Sequence, residues 1–150
     1  MKISSGVRTV SFAVASIIAA SSAFAAPHFL SASASKSGTT LTVSFREAGL
    51  GNADVNISAS ATVEQQQACI NGGDKNPAAA NKSSFTSTAN ASGTFTPKNG
   101  SVSGSLTLSA PSTGFSCPGG QRLVTLSVTY TNVRITDTTN GVSTSVSGTF

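Results

Sequence analysis

Few side chains in this sequence could carry acid–base or metal chemistry. His28 is the single histidine, so a copper site built on an amino-terminal histidine would lack the second imidazole that it needs. Any serine nucleophile would also have only His28 as its general base, near one end of the chain, where little fixes the geometry of the ring. We therefore expect no cofactor, no metal site and no hydrolytic triad.

The carboxylates offer only weak alternatives. Glu47 and Asp54 flank the loop at residues 48–53 and could approach each other as the two carboxyl groups of a glycosidase do. Such a pair needs a cleft for its sugar, normally lined by aromatic side chains, and this loop has none. We predict solvated loop charges beside Arg46 instead. Residues 71–74 are rich in oxygen atoms but lack the ligand spacing of a calcium loop, so we expect a polar turn there.

Residues 1–25 have the pattern of a secretory signal peptide, with Lys2 and Arg8 before an apolar run at residues 12–20 and small residues at the end. The apolar run is too short for a stable membrane span, and no later segment could cross a bilayer as a helix. We expect a single mature domain, residues 26–150, that is secreted from the cell or, in a bacterium with two membranes, into the periplasm.

The charge pattern argues against a nucleic-acid partner. Loss of Lys2 and Arg8 with the leader leaves seven of the nine basic residues against five acids. These basic residues stand singly between uncharged strands, so they form no stripe that could neutralise a row of phosphates.

Alternating apolar and hydroxyl residues predict seven strands after the leader. The sixth is the most apolar, and its expected inward positions are Val124, Leu126, Val128 and Tyr130. Its apolar positions then change from even to odd numbers before Val133, which predicts a β-bulge. Residues 64–68 could form a short helical turn. The expected strands cover about residues 29–35, 39–46, 55–63, 85–96, 102–108, 124–135 and 142–150.

Seven short strands separated by turns predict an all-β fold, an antiparallel β-sandwich that is immunoglobulin-like in architecture. If each strand reverses the one before, the third ends and the sixth begins at the same pole, which brings Cys69 and Cys117 together. An even pair of cysteines without neighbouring histidines, in an exported chain, favours a disulfide over a metal site. We predict this bridge.

Several segments together resemble a group of small secreted bacterial proteins of the actinomycete type, a group of unknown function. The resemblance covers nearly the whole mature chain and implies an exported single domain, without implying a catalytic residue or a ligand. The segments are Phe45-Arg46-Glu47-Ala48-Gly49-Leu50-Gly51, Cys69 with Asn71-Gly72-Gly73 and Asn76-Pro77, Phe115-Ser116-Cys117-Pro118 with Gly120-Gln121, and Tyr130-Thr131-Asn132-Val133 with Thr136-Asp137.

Serine and threonine make up 46 of the 150 residues and fall mainly on the outward faces of the expected strands. Such hydroxyl rows can bind glycans or ice, but strands also use these residues for their β-propensity. We expect a secreted non-enzymatic structural or binding module, with an extracellular protein or glycan as its partner. The main alternative is a protease inhibitor that presents a rigid, disulfide-anchored loop.

Binding is expected on the two long loops beside the cysteines, residues 71–80 and 111–121, because loops on a rigid scaffold are where binding sites usually lie. The candidate binding residues are Asn71, Asp74, Lys75, Asn76, Phe115, Pro118, Gln121 and Arg122.

Overall fold

The computed structural model describes residues 25–71 and 82–150. The expected signal peptide therefore lies almost entirely outside the described residues. All of the regular structure in the described part of the chain is β-strand. The strands are β1 (His28–Ser37), β2 (Thr40–Ala48), β3 (Val55–Asn71), β4 (Lys82–Phe95), β5 (Ser101–Ser109), β6 (Gln121–Asp137) and β7 (Val142–Val146).

The strands form two antiparallel sheets, one with the order β1-β2-β5 and one with the order β4-β3-β6-β7. The sheets pack face to face, which confirms the predicted β-sandwich. Its strand order is immunoglobulin-like, with β4 placed beside β3 on the larger sheet.

The core lies between the sheets because each strand directs alternate side chains inward. On β3 the inward positions from Val55 to Val63 are aliphatic, and serine, threonine and asparagine separate them. The largest fully buried apolar side chains are Tyr130, Leu41, Ile57, Leu108 and Ile135. The core is thus mainly aliphatic, with one buried phenol.

Large and small side chains interlock where β4 meets β5. The rings of Phe45 and Phe95 pack edge to face with centroids 5.0 Å apart. Phe95 lies over Gly104 of β5, where an added Cβ would overlap the phenylalanine ring. The absence of a side chain at Gly104 therefore makes room for the ring of Phe95.

The third strand is much longer than predicted. Residues 64–68 continue β3 and do not form a helical turn, so that alternative is wrong. Gln65 pairs with Phe85 on one side and with Val128 on the other. A helical turn would lose the ladder hydrogen bonds on both sides, which explains why the strand persists.

The sixth strand contains the predicted bulge and a second one. Asn132 has a φ of 53°, and the register with β3 shifts beside it, between Ser60 and Thr62. A further shift leaves Leu126 without a β3 partner. Leu126 is 46% exposed, so the prediction that it faces the core is wrong. The second bulge changes the phase of the strand and turns Leu126 outward.

Tyr130 connects the two sheets through hydrogen bonds. Its hydroxyl group lies 2.6 Å from the carbonyl oxygen of Thr39 and 3.3 Å from that of Leu108, and it donates to them. Its backbone amide and carbonyl both bond to Phe150. One buried side chain on β6 therefore holds the turn before β2 and the end of β5.

Tyr130→Phe should lower the free energy of unfolding by about 1–3 kcal/mol, because two partly buried carbonyl groups lose their donor while the ring still fills its space. Urea denaturation measures the change. Thr131→Val, at the next, outward-facing position, is the matched control and should change stability by less than about 0.5 kcal/mol. Equal midpoints for Tyr130→Phe and the parent protein would contradict this role.

Candidate functional site

Cys69 and Cys117 form a disulfide with Cα atoms 5.5 Å apart, which confirms the predicted bridge. We call this end of the sandwich the disulfide pole. It comprises the end of β3 (64–71), the start of β4 (82–87), the segment 111–120 and the first half of β6 (121–129).

The segment 111–117 follows β3 through three successive links. Gln65 Nε2 donates to the Pro111 carbonyl at 2.7 Å, and Thr113 Oγ1 donates to Gln67 Oε1. The disulfide is the third link. Because both partners advance along the chain together, the segment runs parallel to β3 across its inner face.

These links explain why the inner face of β3 changes from aliphatic to polar after Val63. The smaller sheet has ended here, since β5 stops at Ser109, and the irregular segment covers the larger sheet in its place. An irregular backbone over a sheet needs hydrogen-bond partners. Gln65 and Gln67, which are 4% and 7% exposed, supply them.

An aromatic contact and a tight turn complete the pole. Phe115 packs against Phe85 of β4 with ring centroids 5.6 Å apart. After Cys117 the chain turns, and the amide of Gln121 donates to the Pro118 carbonyl at 3.2 Å. Gly120 has a φ of 80° in this turn, a conformation that favours glycine. The exposed apex at residues 118–120 therefore projects from a fixed base.

The candidate binding residues have different positions at this pole. Asn71 ends β3 and is exposed, Pro118 is exposed in the turn, and Phe115 is half-buried. Gln121 and Arg122 begin β6, opposite Asn71 and Ile70 of β3. The other three candidates, Asp74, Lys75 and Asn76, lie outside the described residues.

Sequence reasoning missed two exposed leucines on β6. Leu123 is 44% exposed and Leu126 is 46% exposed. The parity of the predicted inward positions places Leu123 on the outer face, but its pairing with the buried Cys69 puts it on the inner face, where it is still exposed. Leu126 carried no signal, because only the bulge turns it outward.

A buried acid pair lies between the sheets near the opposite pole. Glu47 on β2 and Asp137 at the end of β6 are both 0% exposed, so the prediction that Glu47 is a solvated loop charge is wrong. Glu47 continues the inward positions of Leu41, Val43 and Phe45 on β2. Asp54 is exposed and accepts a hydrogen bond of 2.7 Å from Thr96 Oγ1.

The two buried carboxyl groups have different environments. Asp137 Oδ1 accepts the amides of Thr139 at 2.8 Å and Asn140 at 3.1 Å, which holds the turn before β7. Neither carboxyl oxygen of Glu47 has a hydrogen bond of normal geometry to any described residue. Burial, and secondarily the nearby Asp137 carboxylate, raise the pKa of Glu47 to about 7.

No other chemical constellation forms in the described part of the chain. Residues 25–71 and 82–150 contain no group of three or more histidine, cysteine or acidic side chains placed to hold a metal. His28 is exposed, with Nδ1 2.7 Å from the Ala26 carbonyl. Among five clefts on the surface of the described part, none is lined by two of His28, Glu47, Asp54 and Arg122. In these same ranges no helix is long and apolar enough to span a membrane.

The chain matches no model of a known protein family, no curated protein and no solved structure. The structure therefore defines its class: a disulfide-bridged, immunoglobulin-like β-sandwich. The resemblance to small secreted actinomycete-type proteins stays a prediction.

Replacing both Cys69 and Cys117 with serine should lower the free energy of unfolding by about 2–4 kcal/mol, since the bridge joins residues 48 apart in sequence. The far-UV circular dichroism should still show the β-sheets, because the aliphatic core lies away from the bridge. Urea denaturation of the parent protein with and without reductant is the matched comparison. Two alkylatable thiols in the unreduced protein would contradict the bridge.

Glu47→Gln should remove a pH-dependent loss of stability. The raised pKa of Glu47, about 7 against a usual 4.5, means that the unfolded chain releases this proton first. Stability should thus be greatest below pH 4.5 and fall by roughly 2–3 kcal/mol as pH rises through about 7. Glu47→Gln should lack this fall when unfolding is measured between pH 4 and 8, whereas Glu64→Gln, at an exposed acid, should retain it. A parent protein with flat stability across this range would contradict the assignment.

Proposed function

We propose that this chain is an exported, non-enzymatic binding module and that the apex of its disulfide pole contacts an extracellular protein or glycan. The observation that carries the proposal is the attachment of segment 111–117 to β3 at Gln65, Gln67 and Cys69. The leader-like residues 1–25 and the disulfide support export.

A rigid apex favours binding because little conformational freedom is lost when a partner is bound. Pro118 and Gly119 are exposed at the apex, and the residues that support it are fixed by a disulfide and a ring contact. The apex therefore presents a preformed surface.

The acid pair supports a role without catalysis. A general acid must reach the substrate within hydrogen-bond distance, yet Glu47 and Asp137 are both 0% exposed between the sheets. One of the two, Asp137, is already used to hold a turn. Complete burial, a raised pKa at Glu47 and the turn held by Asp137 are features of a buried structural pair.

Glycan binding by the outer face of the larger sheet is a second candidate. Ser58 lies between Ser92 and Thr136 in the sheet, and Thr136 in turn pairs with Ser143. Hydroxyl groups thus cross four strands in a row on a face that has neither bulky apolar nor aromatic side chains in that row. A cleft of about 250 Å³ on the same sheet includes Glu64 and Gln66 among its lining residues.

Protease inhibition has one supporting observation. Segment 111–117 runs along β3 through successive contacts, and the disulfide anchors it. Its inward residues Thr113, Phe115 and Cys117 are half-buried against the sheet. Its exposed residues are only Ser112, Gly114 and Ser116. Such small side chains offer little to a protease specificity pocket, so this candidate ranks below the first two.

The test immobilises the mature disulfide-bonded chain and captures partners from culture supernatant, with a glycan array and a panel of proteases as parallel assays. Pro118→Lys, at the exposed apex, should weaken capture about tenfold or more. Asn52→Lys, on an exposed loop outside the disulfide pole, is the matched control and should bind as the parent does.

Capture that survives Pro118→Lys but is lost with Thr62→Lys, on the outer face of the larger sheet, would replace the apex by the hydroxyl face. Inhibition of a protease with a strength that depends on Ser116 would favour the inhibitor. Absence of any partner in all three assays would contradict the binding role.

A further inference from the structure

One edge of β6 has no strand partner among the described residues over half its length. On its β3 side the strand is paired from Gln121 to Asp137. On the other side β7 pairs only with residues 133–137, and Phe150 bonds to Tyr130. Within residues 25–71 and 82–150, no backbone pairs with this side of β6 between residues 122 and 129.

The open edge carries backbone groups that need partners. The amide and carbonyl of Tyr130 both point toward β7, where they bond to Phe150 at 2.9 and 3.0 Å. Because a strand directs its backbone groups to alternate sides, the amide and carbonyl of Val128 point the same way. No described residue pairs with them there. Such a row of unpaired groups is a template for another strand.

The side chains along this edge are apolar or uncharged, as in a protein–protein interface. Leu123 and Leu126 are two of the three exposed large apolar residues in the described part of the chain. Charge is absent from Leu123 to Val133, and the stretch has no proline. Natural open edges usually carry charges or proline to prevent pairing. Apart from Arg122 at one end, the bulge at Leu126 is the single such device on this edge.

The outer side of β4 also has no strand partner among the described residues, but none of the exposed large apolar side chains lies on β4. The edge strands β1 and β7 pack against each other at one corner, and β4 and β5 pack at the other. The first half of β6 extends past the end of the smaller sheet, so no edge strand of that sheet lies beside it. The open edge is thus a consequence of the unequal lengths of the two sheets.

We propose that this edge pairs with the same edge of a second copy of the chain, β6 against β6, antiparallel about a two-fold axis. The distribution of charge favours this occupant. Arg122 is the only charged residue between 121 and 133, and the two-fold axis places the two copies of Arg122 at opposite ends of the paired strands. Neutral residues then face neutral residues along the whole contact.

The charge argument also disfavours an acidic peptide as the occupant. The edge offers one basic side chain, and Arg122 already makes an interaction within the chain. Assembly by this pairing stops at two copies, because each copy covers the open edge of the other. The result is a closed dimer in which two four-stranded sheets join into one.

Sedimentation equilibrium of the mature disulfide-bonded protein across the micromolar range tests this inference. The parent protein should form a dimer, and Leu126→Lys or Leu123→Lys should weaken dimerisation about tenfold or more. Leu126→Lys places like charges near the two-fold axis, whereas Leu123→Lys replaces an apolar contact with a charge that faces neutral residues. Leu30→Lys is the matched control: Leu30 is 51% exposed and also lies at a register shift, but on β1. It should dimerise as the parent does.

Hydrogen exchange of the unmodified protein provides a second measurement that needs no variant. The amide of Val128 should exchange more slowly at high than at low protein concentration, while amides on the open side of β4 should not change. A parent protein that is monomeric throughout, or a dimer weakened only by Leu30→Lys, would overturn the inference. Open-ended aggregation in place of a dimer would also overturn it.

The two proposals can fail separately. A monomer that still loses its partner with Pro118→Lys would leave the binding role intact and remove the dimer. A dimer that captures no partner would do the reverse.

Discussion

The pairing of β3 with β6 is the contact on which the rest of the structure depends. Each strand has 17 residues, and they are paired over nearly their whole length. The smaller sheet has strands of only nine or ten residues. The larger sheet must therefore extend beyond the smaller one, and its inner face there needs another cover.

This difference in length has two consequences at the same pole. The inner face receives segment 111–117, which the glutamines of β3 and the disulfide hold in place. The edge of β6 receives no cover from the smaller sheet. A rigid apex and an unpaired edge thus arise from one geometric cause, and both are features through which proteins contact other molecules.

At the opposite end of the sandwich, two acidic side chains are buried together. Placing Glu47 inward keeps the alternation of β2 intact, but it buries a carboxyl group beside Asp137. The proton held on Glu47 at neutral and lower pH relieves the repulsion between the two groups. Asp137 is stabilised by turn amides, so the pair is compatible with a well-packed core when one of its members is protonated.

Most of the fold follows from local chemistry that can be read along the chain. Val55, Ile57 and Val63 alternate with hydroxyl residues, which is sufficient to define a half-buried strand and its inward face. The disulfide followed from counting strand reversals, because sequential antiparallel strands return Cys69 and Cys117 to one pole. The bulge near Asn132 was visible as a change in the parity of apolar positions.

The apex, the open edge and the acid pair depended on contacts between residues far apart in sequence. Leu126 has the residue type of a core position, and only the register of β6 against β3 turns it outward. Gln65 and Gln67 look like surface residues until segment 111–117 packs over them. Glu47 is buried because the end of β6 lies across from β2. Alternation along one strand determines which side chains share a face, whereas burial of that face depends on which other element packs against it.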